Sequence, residues 1–313
     1  MTTWGINALN HDASIAVFHG TDLLFHHRSS EFSGILGDPN LNQQLVNAAL
    51  EYGLPDNIFW YERPWVKKLR QLYAGQYRWA FDYKEIPSVY LKQFKINAPI
   101  IYTDHHRSHA AAGFFTAPFK QAAVVVIDAI GEWDSASIWY ADHAYMKKVW
   151  SLKYPNSLGL FYSAFTDLVG LKATQQEHIF QQWSELGNYT RYYDDVKEFT
   201  NENLHQGVRS WPYEITSDQD RYDIAAAVQQ VFTEQVIAIM EKAKTLTGMK
   251  NLVYMGGCAM NSATNAQILD KWDRIWSLPI PGDASSSIGA VLNSRRSHIK
   301  YSPNQVVKHI KIR

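Results

Sequence analysis

The residues best suited to chemistry stand in Asp104-His105-His106-Arg107-Ser108-His109, followed closely by Val124-Val125-Val126-Ile127-Asp128-Ala129-Ile130-Gly131-Glu132. With Asp104 as the cap of a helix, His105 and His109 lie four residues apart on one face, and two imidazoles reach one point. The apolar run reads as a buried strand that carries Asp128 at its end, where a carboxylate from a second element completes the same site. Two neutral nitrogens and carboxylate oxygen suit a divalent metal with open positions: iron, zinc or manganese. Paired histidines at helical spacing are common without any such role. The strand-end Asp and the glycine after it are what turn this pair toward a metal.

Positioning these groups needs strands on both sides of them. Trp4 to Ala8, Ala13 to Phe18 and Leu23 to His26 read as a meander with a polar turn, Leu9-Asn10-His11-Asp12, between its first two strands. Asn42 to Tyr52 reads as a helix, and Ala98 to Tyr102 as a strand leading into the histidine segment. The pattern then restarts, with strands at Ala122 to Asp128, Ser135 to Tyr140 and Lys147 to Leu152. Two meanders, each with an Asp-bearing turn, are the layout of a duplicated actin-like α/β fold: two ribonuclease-H-like lobes with the ligand in the cleft between them. The expected division is 1–118 for the first lobe, with an aromatic and basic insertion near 60–95, and 119–313 for the second.

Helices are expected at Ser157 to Val169 and, long and regular, at Tyr222 to Thr247. Asn251 to Met255 is a strand running into Gly256-Gly257, where glycines let backbone approach a nucleotide or its phosphates. Pro279 through Gly282-Asp283 to Gly289-Ala290 offers another helix start, with Asp283 as a further candidate ligand.

A net charge of zero and a composition that is 46% hydrophobic and 19% charged describe an ordinary globular chain, with no global electrostatic case for nucleic acid or membrane. Cys258 is the one cysteine and makes no internal disulfide, and no leader-like or membrane-spanning apolar run is evident. A cytoplasmic protein is expected, in the host cytoplasm if the source is viral.

Six motifs occur in order: His11-Asp12-Ala13-Ser14, His105-His106-x-x-His109-Ala110-Ala111, Asp128-x-x-Gly131-Glu132-Trp133-Asp134, Ser157-Leu158-Gly159-x-x-Tyr162-Ser163, Gly256-Gly257-x-Ala259-x-Asn261 and Gly282-Asp283-x-x-x-x-x-Gly289-Ala290. The series resembles the carbamoyltransferase family of nodulation-factor and antibiotic O-carbamoyltransferases over nearly the whole chain. The resemblance implies a transfer module that binds carbamoyl-adenylate, made from carbamoyl phosphate and ATP, beside a metal, commonly iron. Residues matching His105, His109, Asp128 and Asp283 hold that metal, and the carbamoyl group passes to an acceptor hydroxyl. His11 is the candidate to take the acceptor's proton, with Asp12 orienting it or a donor amide. Gly256, Gly257 and Asn261 are expected on the adenosine, Gly131 and Glu132 beside the phosphate, and Glu177 as the family's acidic residue near the donor.

Three departures from the family bear on the acceptor. Full-length members carry a second module that forms the adenylate, so a separate protein is one expected supplier here; short forms are typical of phages. The family's E-R-F-x-R-x-K appears as Glu31-Phe32-Ser33-Gly34-Ile35-Leu36-Gly37, without basic residues, and its E-x-K-x-M-G-L-A as Glu177-His178-Ile179-Phe180-Gln181-Gln182-Trp183-Ser184. Between residues 61 and 95 eight Lys or Arg face three acids and alternate with aromatic residues, and 295–313 adds six cations and no acid. Such stretches bind nucleic acid by phosphate contact and stacking, although they also occur as scaffold. DNA is therefore a candidate partner, and the expected acceptor is the hydroxymethyl group of a 5-hydroxymethyl-pyrimidine, cytosine first, flipped out or single-stranded. The alternatives are a small sugar or metabolite hydroxyl, and an actin-like nucleotide-binding module without transfer activity. Oligomeric state is left open.

Overall fold

The computed structural model describes residues 1–301. Within them the two meanders form two five-stranded sheets of the same topology. In the first, β1 (Thr2–Asn7), β2 (Ser14–His19) and β3 (Asp22–Arg28) pair antiparallel, while β4 (Asn57–Trp60) and β5 (Ile100–Tyr102) join β1 in parallel, giving the order β3-β2-β1-β4-β5. The second repeats this with β6 (Gln121–Gly131), β7 (Asp134–Asp142), β8 (Tyr145–Lys153), β9 (Asn251–Met255) and β10 (Arg274–Trp276). This is the duplicated actin-like fold. The sequence division near residue 118 falls between the helix His105–Thr116 and β6, but the last helix, Ser286–Arg295, crosses back to pack on β1.

Strand β6 shows why two cores exist. Val124 and Val126 point into the layer shared with the first sheet, while Ala123, Val125 and Ile127 point into a second core under the helices Leu158–Leu168 and Asp218–Thr247. Period-two alternation with both faces apolar is what a central strand between two helical layers requires.

Between the sheets lie the helices Ser286–Arg295 and His105–Thr116, and glycine sets each approach. A Cβ at Gly5 of β1 would stand 1.8 Å from the Ser287 carbonyl oxygen, one at Gly289 1.7 Å from that of Ser108, and one at Gly113 2.5 Å from the side chains of Val253 and Met255 on β9. Backbone therefore meets backbone at the first two of these interfaces. Every residue of His105–Thr116 except Arg107 is buried, so this helix is surrounded by protein. Among the described residues no helix is long and apolar enough to cross a membrane.

Candidate metal centre

Asp104 caps the central helix, its carboxylate accepting from the Arg107 amide at 3.0 Å, and His105 and His109 project one turn apart into the cleft. Their Nε2 atoms are 3.2 Å apart. Asp128 arrives from the irregular end of β6, with Oδ2 3.3 Å from each Nε2, and Asp283 from the short turn before the last helix, with Oδ1 3.4 Å from His105 and 3.1 Å from His109. Two donors about 2.1 Å from a common ion stand about 3.0 Å apart at a right angle and about 3.4 Å apart at the tetrahedral angle. The five separations, 3.1 to 3.4 Å, fall in that window. The N2O2 donor set thus fits a divalent cation.

Burial disfavours charge on every member, yet mutual attraction outweighs it. The carboxylates hold both imidazoles above the usual histidine value, and the imidazoles hold Asp128 and Asp283 below the usual carboxylate value. The outer contacts fix the carboxylates: the Ala129 amide donates to Asp128 Oδ1 at 2.8 Å, and Asn10 Nδ2 to Asp283 Oδ2 at 3.1 Å. Glu62 Oε2 faces His105 Nδ1 at 3.8 Å while Lys67 holds the other oxygen at 3.0 Å.

The β1–β2 turn places the second group. Asn7 Nδ2 donates to the carbonyls of His11 (3.0 Å) and Asp12 (2.8 Å), which supports positive φ at Leu9 and Asp12. Asp12 Oδ2 lies 2.8 Å from His11 Nδ1, and His11 Nε2 is 3.3 Å from the Thr174 carbonyl. The Asp12 hydrogen bond raises His11 to about 9, against burial, with Asp12 and Asp283 charge adding to the rise. Glu177 accepts from Ser163 Oγ at 2.7 Å and from the Thr174 amide, so it orders the loop that faces His11.

The glycine motifs divide. Gly257 lies over the donor cluster, since a Cβ there would be 3.1 Å from Asp128 Oδ1, and Gly256 has φ +92° with its Cβ position 2.2 Å from the Ile127 carbonyl. A Cβ at Gly131 would sit 2.6 Å from the His105 ring, so this glycine lets the turn close on the histidines. Glu132 is buried and bound by the Arg63 amide (2.6 Å) and guanidinium, which also reaches Asp104 at 2.6 Å; its carboxylate ties the turn to the cap of the histidine-bearing helix. Asn261 caps the helix Ser262–Ile268 and exchanges hydrogen bonds with Gln229 at 2.9 and 3.2 Å, which occupies its amide inside the protein.

Asn10, Glu62 and Arg63 are contributors that sequence reasoning did not single out. Asn10 had a signal, its place between Leu9 and His11 in a turn already marked. The basic stretch 61–95 is also less exposed than its composition implies: Lys67 and Arg70 are buried, Arg63 is held by Glu132 and Asp104, and Lys68 donates to the Trp79 and Asp82 carbonyls. Arg78, Lys84, Lys92 and Lys95 remain exposed, beside exposed Tyr77, Trp79, Phe81 and Tyr83. Of the second basic stretch, residues 302–313 lie outside the described residues, and Arg295 is turned onto the Phe18 ring at 4.9 Å.

Comparison with known families matches residues 61–206 and 189–292 to one described as carbamoyltransferase N-terminus. An uncharacterized protein of Synechocystis, sll1178, is 27% identical over 92% of this chain and 56% of its own length. The nodulation protein NolNO of Sinorhizobium fredii is 24% identical over 62% of this chain and 31% of its own. The chain spans about half the length of the curated relatives that it matches most fully. Among solved structures, full-length HypF in its phosphate- and nucleotide-bound form superposes with a TM-score of 0.51 at 14% identity, over 94% of this chain and 55% of that one. That likeness concerns the fold.

Proposed function

Because the chain belongs to the carbamoyltransferase N-terminus family, we propose that it is an O-carbamoyltransferase that takes its group from carbamoyl phosphate through carbamoyl-adenylate. The observation that carries this reading is the convergence of His105, His109, Asp128 and Asp283 in the cleft, within reach of the His11–Asp12 turn through Asn10. His105, His109, Asp128 and Asp283 would hold a divalent cation, iron, zinc or manganese, and when bound it supplies Lewis-acid polarisation of the donor. Gly257 gives the adenylate close access to backbone, while the side of Gly256 that lacks a Cβ is taken up by the Ile127 backbone.

In the transfer step the acceptor oxygen attacks the carbamoyl carbon. The bond from that carbon to the phosphate oxygen breaks, AMP leaves, and the acceptor's proton passes to neutral His11 at Nε2, which turns from the Thr174 carbonyl to take it. With Asp12 on Nδ1, His11 is oriented as a base, and the same carboxylate stabilises the imidazolium that forms. Glu177 keeps the Thr174 loop in place against that ring.

The acceptor we favour is the hydroxymethyl group of 5-hydroxymethylcytosine in DNA. The support is the row of exposed rings and cations at Tyr77, Arg78, Trp79, Phe81, Tyr83 and Lys84. A metabolite hydroxyl is the second reading, favoured by the modest size of the pocket described below. Incubating the metal-loaded protein with carbamoyl phosphate, ATP and hydroxymethylated DNA, then analysing nucleosides by mass spectrometry, separates these. A carbamoyl increment on the modified base is expected; an increment found only on free sugars or nucleosides sinks the DNA acceptor. No increment on any hydroxyl compound, with carbamoyl-adenylate supplied directly as donor, sinks the transferase reading.

A further inference from the structure

The helix Pro64–Tyr73 is built inside out. Its inward face is polar, with Lys67, Arg70 and Gln71 only 6 to 8% exposed, while Trp65, Leu69 and Tyr73 on the outer face are 53, 59 and 69% exposed. Lys67 is satisfied by Glu62 and the Leu9 carbonyl. Arg70 is not: its Nε and Nη1 are buried without a hydrogen-bond partner, and so is Gln71 Oε1. Burying guanidinium nitrogens without hydrogen-bond partners is costly, so Arg70 leaves a positive charge with no hydrogen-bonded counterpart at the end of this helix.

Beside Arg70 a pocket of about 350 Å³ opens between the end of this helix and the loop around residues 203–209, with Tyr73, Tyr154, His205 and Arg209 among its walls. The Arg70 guanidinium lies 5.9 Å from the centre of the Tyr154 ring, and the His205 ring stands edge-on to Tyr154 at 5.5 Å. Gln76 holds His205 Nε2 at 2.8 Å, whereas His205 Nδ1 is another buried polar atom without a partner. Burial, then the charge of Arg70, pushes His205 below its ordinary value, so it stands neutral. A single turn links the pocket to the histidine cluster. The Tyr73 ring packs on Trp133 at 5.4 Å, the Tyr154 amide donates to the Trp133 carbonyl at 2.8 Å, and Trp133 stands two residues from Gly131, which abuts His105.

We propose that this pocket is an anion-recognition subsite for a phosphorylated acceptor: Arg209 takes the phosphate oxygens, the Arg70 guanidinium behind the Tyr154 wall adds the positive charge that attracts them, and the rings of Tyr73 and Tyr154 carry the attached base or sugar. Calling the ligand an acceptor rests on the carbamoyl-transfer reading; the anion site itself does not. Guanidinium forks suit phosphate, and a volume near the small end of ligand pockets suits a single nucleotide unit or a sugar phosphate.

The test is equilibrium binding by calorimetry on the metal-loaded full chain without donor, using inorganic phosphate, 5-hydroxymethyl-dCMP, the matching nucleoside without phosphate, and a short single strand containing the same base. The nucleotide is expected to bind roughly tenfold or more tightly than the nucleoside. R70Q should erase that preference. So should R209Q, which changes an exposed loop residue and keeps the test valid if R70Q folds poorly. K120Q, remote from the pocket, should retain it. Tighter binding of the strand than of the nucleotide assigns the phosphate to DNA, and the reverse to a free metabolite. Equal binding of nucleotide and nucleoside, no binding of any phosphate compound, or a preference that survives in folded R70Q and R209Q overturns the subsite. Carbamoyl transfer with an unchanged KM in both variants rejects the pocket and keeps the activity; binding through Arg70 without any transfer does the opposite.

Discussion

At the scale of single residues, the four donors are not interchangeable with their neighbours. His109 is fully buried between two carboxylates, so His109→Ala removes one donor and leaves Asp128 and Asp283 with a single imidazole. Elemental analysis of the purified variant should find no stoichiometric metal, while circular dichroism stays native; a full complement of metal would remove His109 from the ligand set. His11 gives a prediction in pH. Its value near 9 means that the neutral form needed for a base grows as pH rises from 7, so kcat/KM should climb toward pH 9. Asp12→Asn removes the main cause of the rise and should move the inflection down toward 6.5 while lowering the plateau. An inflection that does not move in this variant rules out His11 as the titrating base. The same attraction contributes to folding with the sign expected of a raised histidine: fully present below about pH 6.5 and lost as pH passes about 9.

At the scale of elements, the packing of two helices decides whether the donors meet. Gly289→Ala would set a methyl 1.7 Å from the Ser108 carbonyl, against backbone that has no rotamer to change. The helices must separate, at a cost of about 1–3 kcal/mol or more, and His109, next to Ser108, must shift with them. Denaturant melts should show the loss of stability and metal titration a weaker site; unchanged values in both would show that the helices have room to part. These elements were largely legible in the sequence, because the Asp104 cap, the four-residue histidine spacing and the apolar run of β6 are local signals. Glu132 and Asn261 were less so, since their side chains are occupied by Arg63 and Gln229, each more than thirty positions away. The helix Pro64–Tyr73 was the hardest case: period alone shows an amphipathic helix but not which face turns inward, and here the apolar face turns out.

At the scale of the molecule, the site draws ligands from the helix after the first sheet, from the central strand of the second, and from the turn before the last helix. A cation bound there joins segments far apart in sequence and stabilises the native state alone. At a hundredfold excess over its Kd the gain is about 2.7 kcal/mol, or several degrees in Tm. A chelator should lower Tm by that amount in the parent protein and leave the His109→Ala variant unmoved; equal melting with and without chelator in the parent would mean that no ion is bound. The duplicated sheets were readable from the repeat of the meander, whereas the return of Ser286–Arg295 to the first sheet was not, because nothing local in that helix names its distant partner. The glycines that let this helix and its neighbour touch through their backbones have a mechanical consequence. With no side-chain padding at Gly289, and Gly113 and Gly131 pressed against other groups, the histidine-bearing helix is a stiff post. Asp128, at an irregular strand end and held by the Ala129 amide, and Asp283, in a short turn and held by Asn10, complete the set from outside that helix. An ion bound there would rest on two imidazoles carried by that stiff post, with the two carboxylates, each kept in place by an outer hydrogen bond, closing its other side.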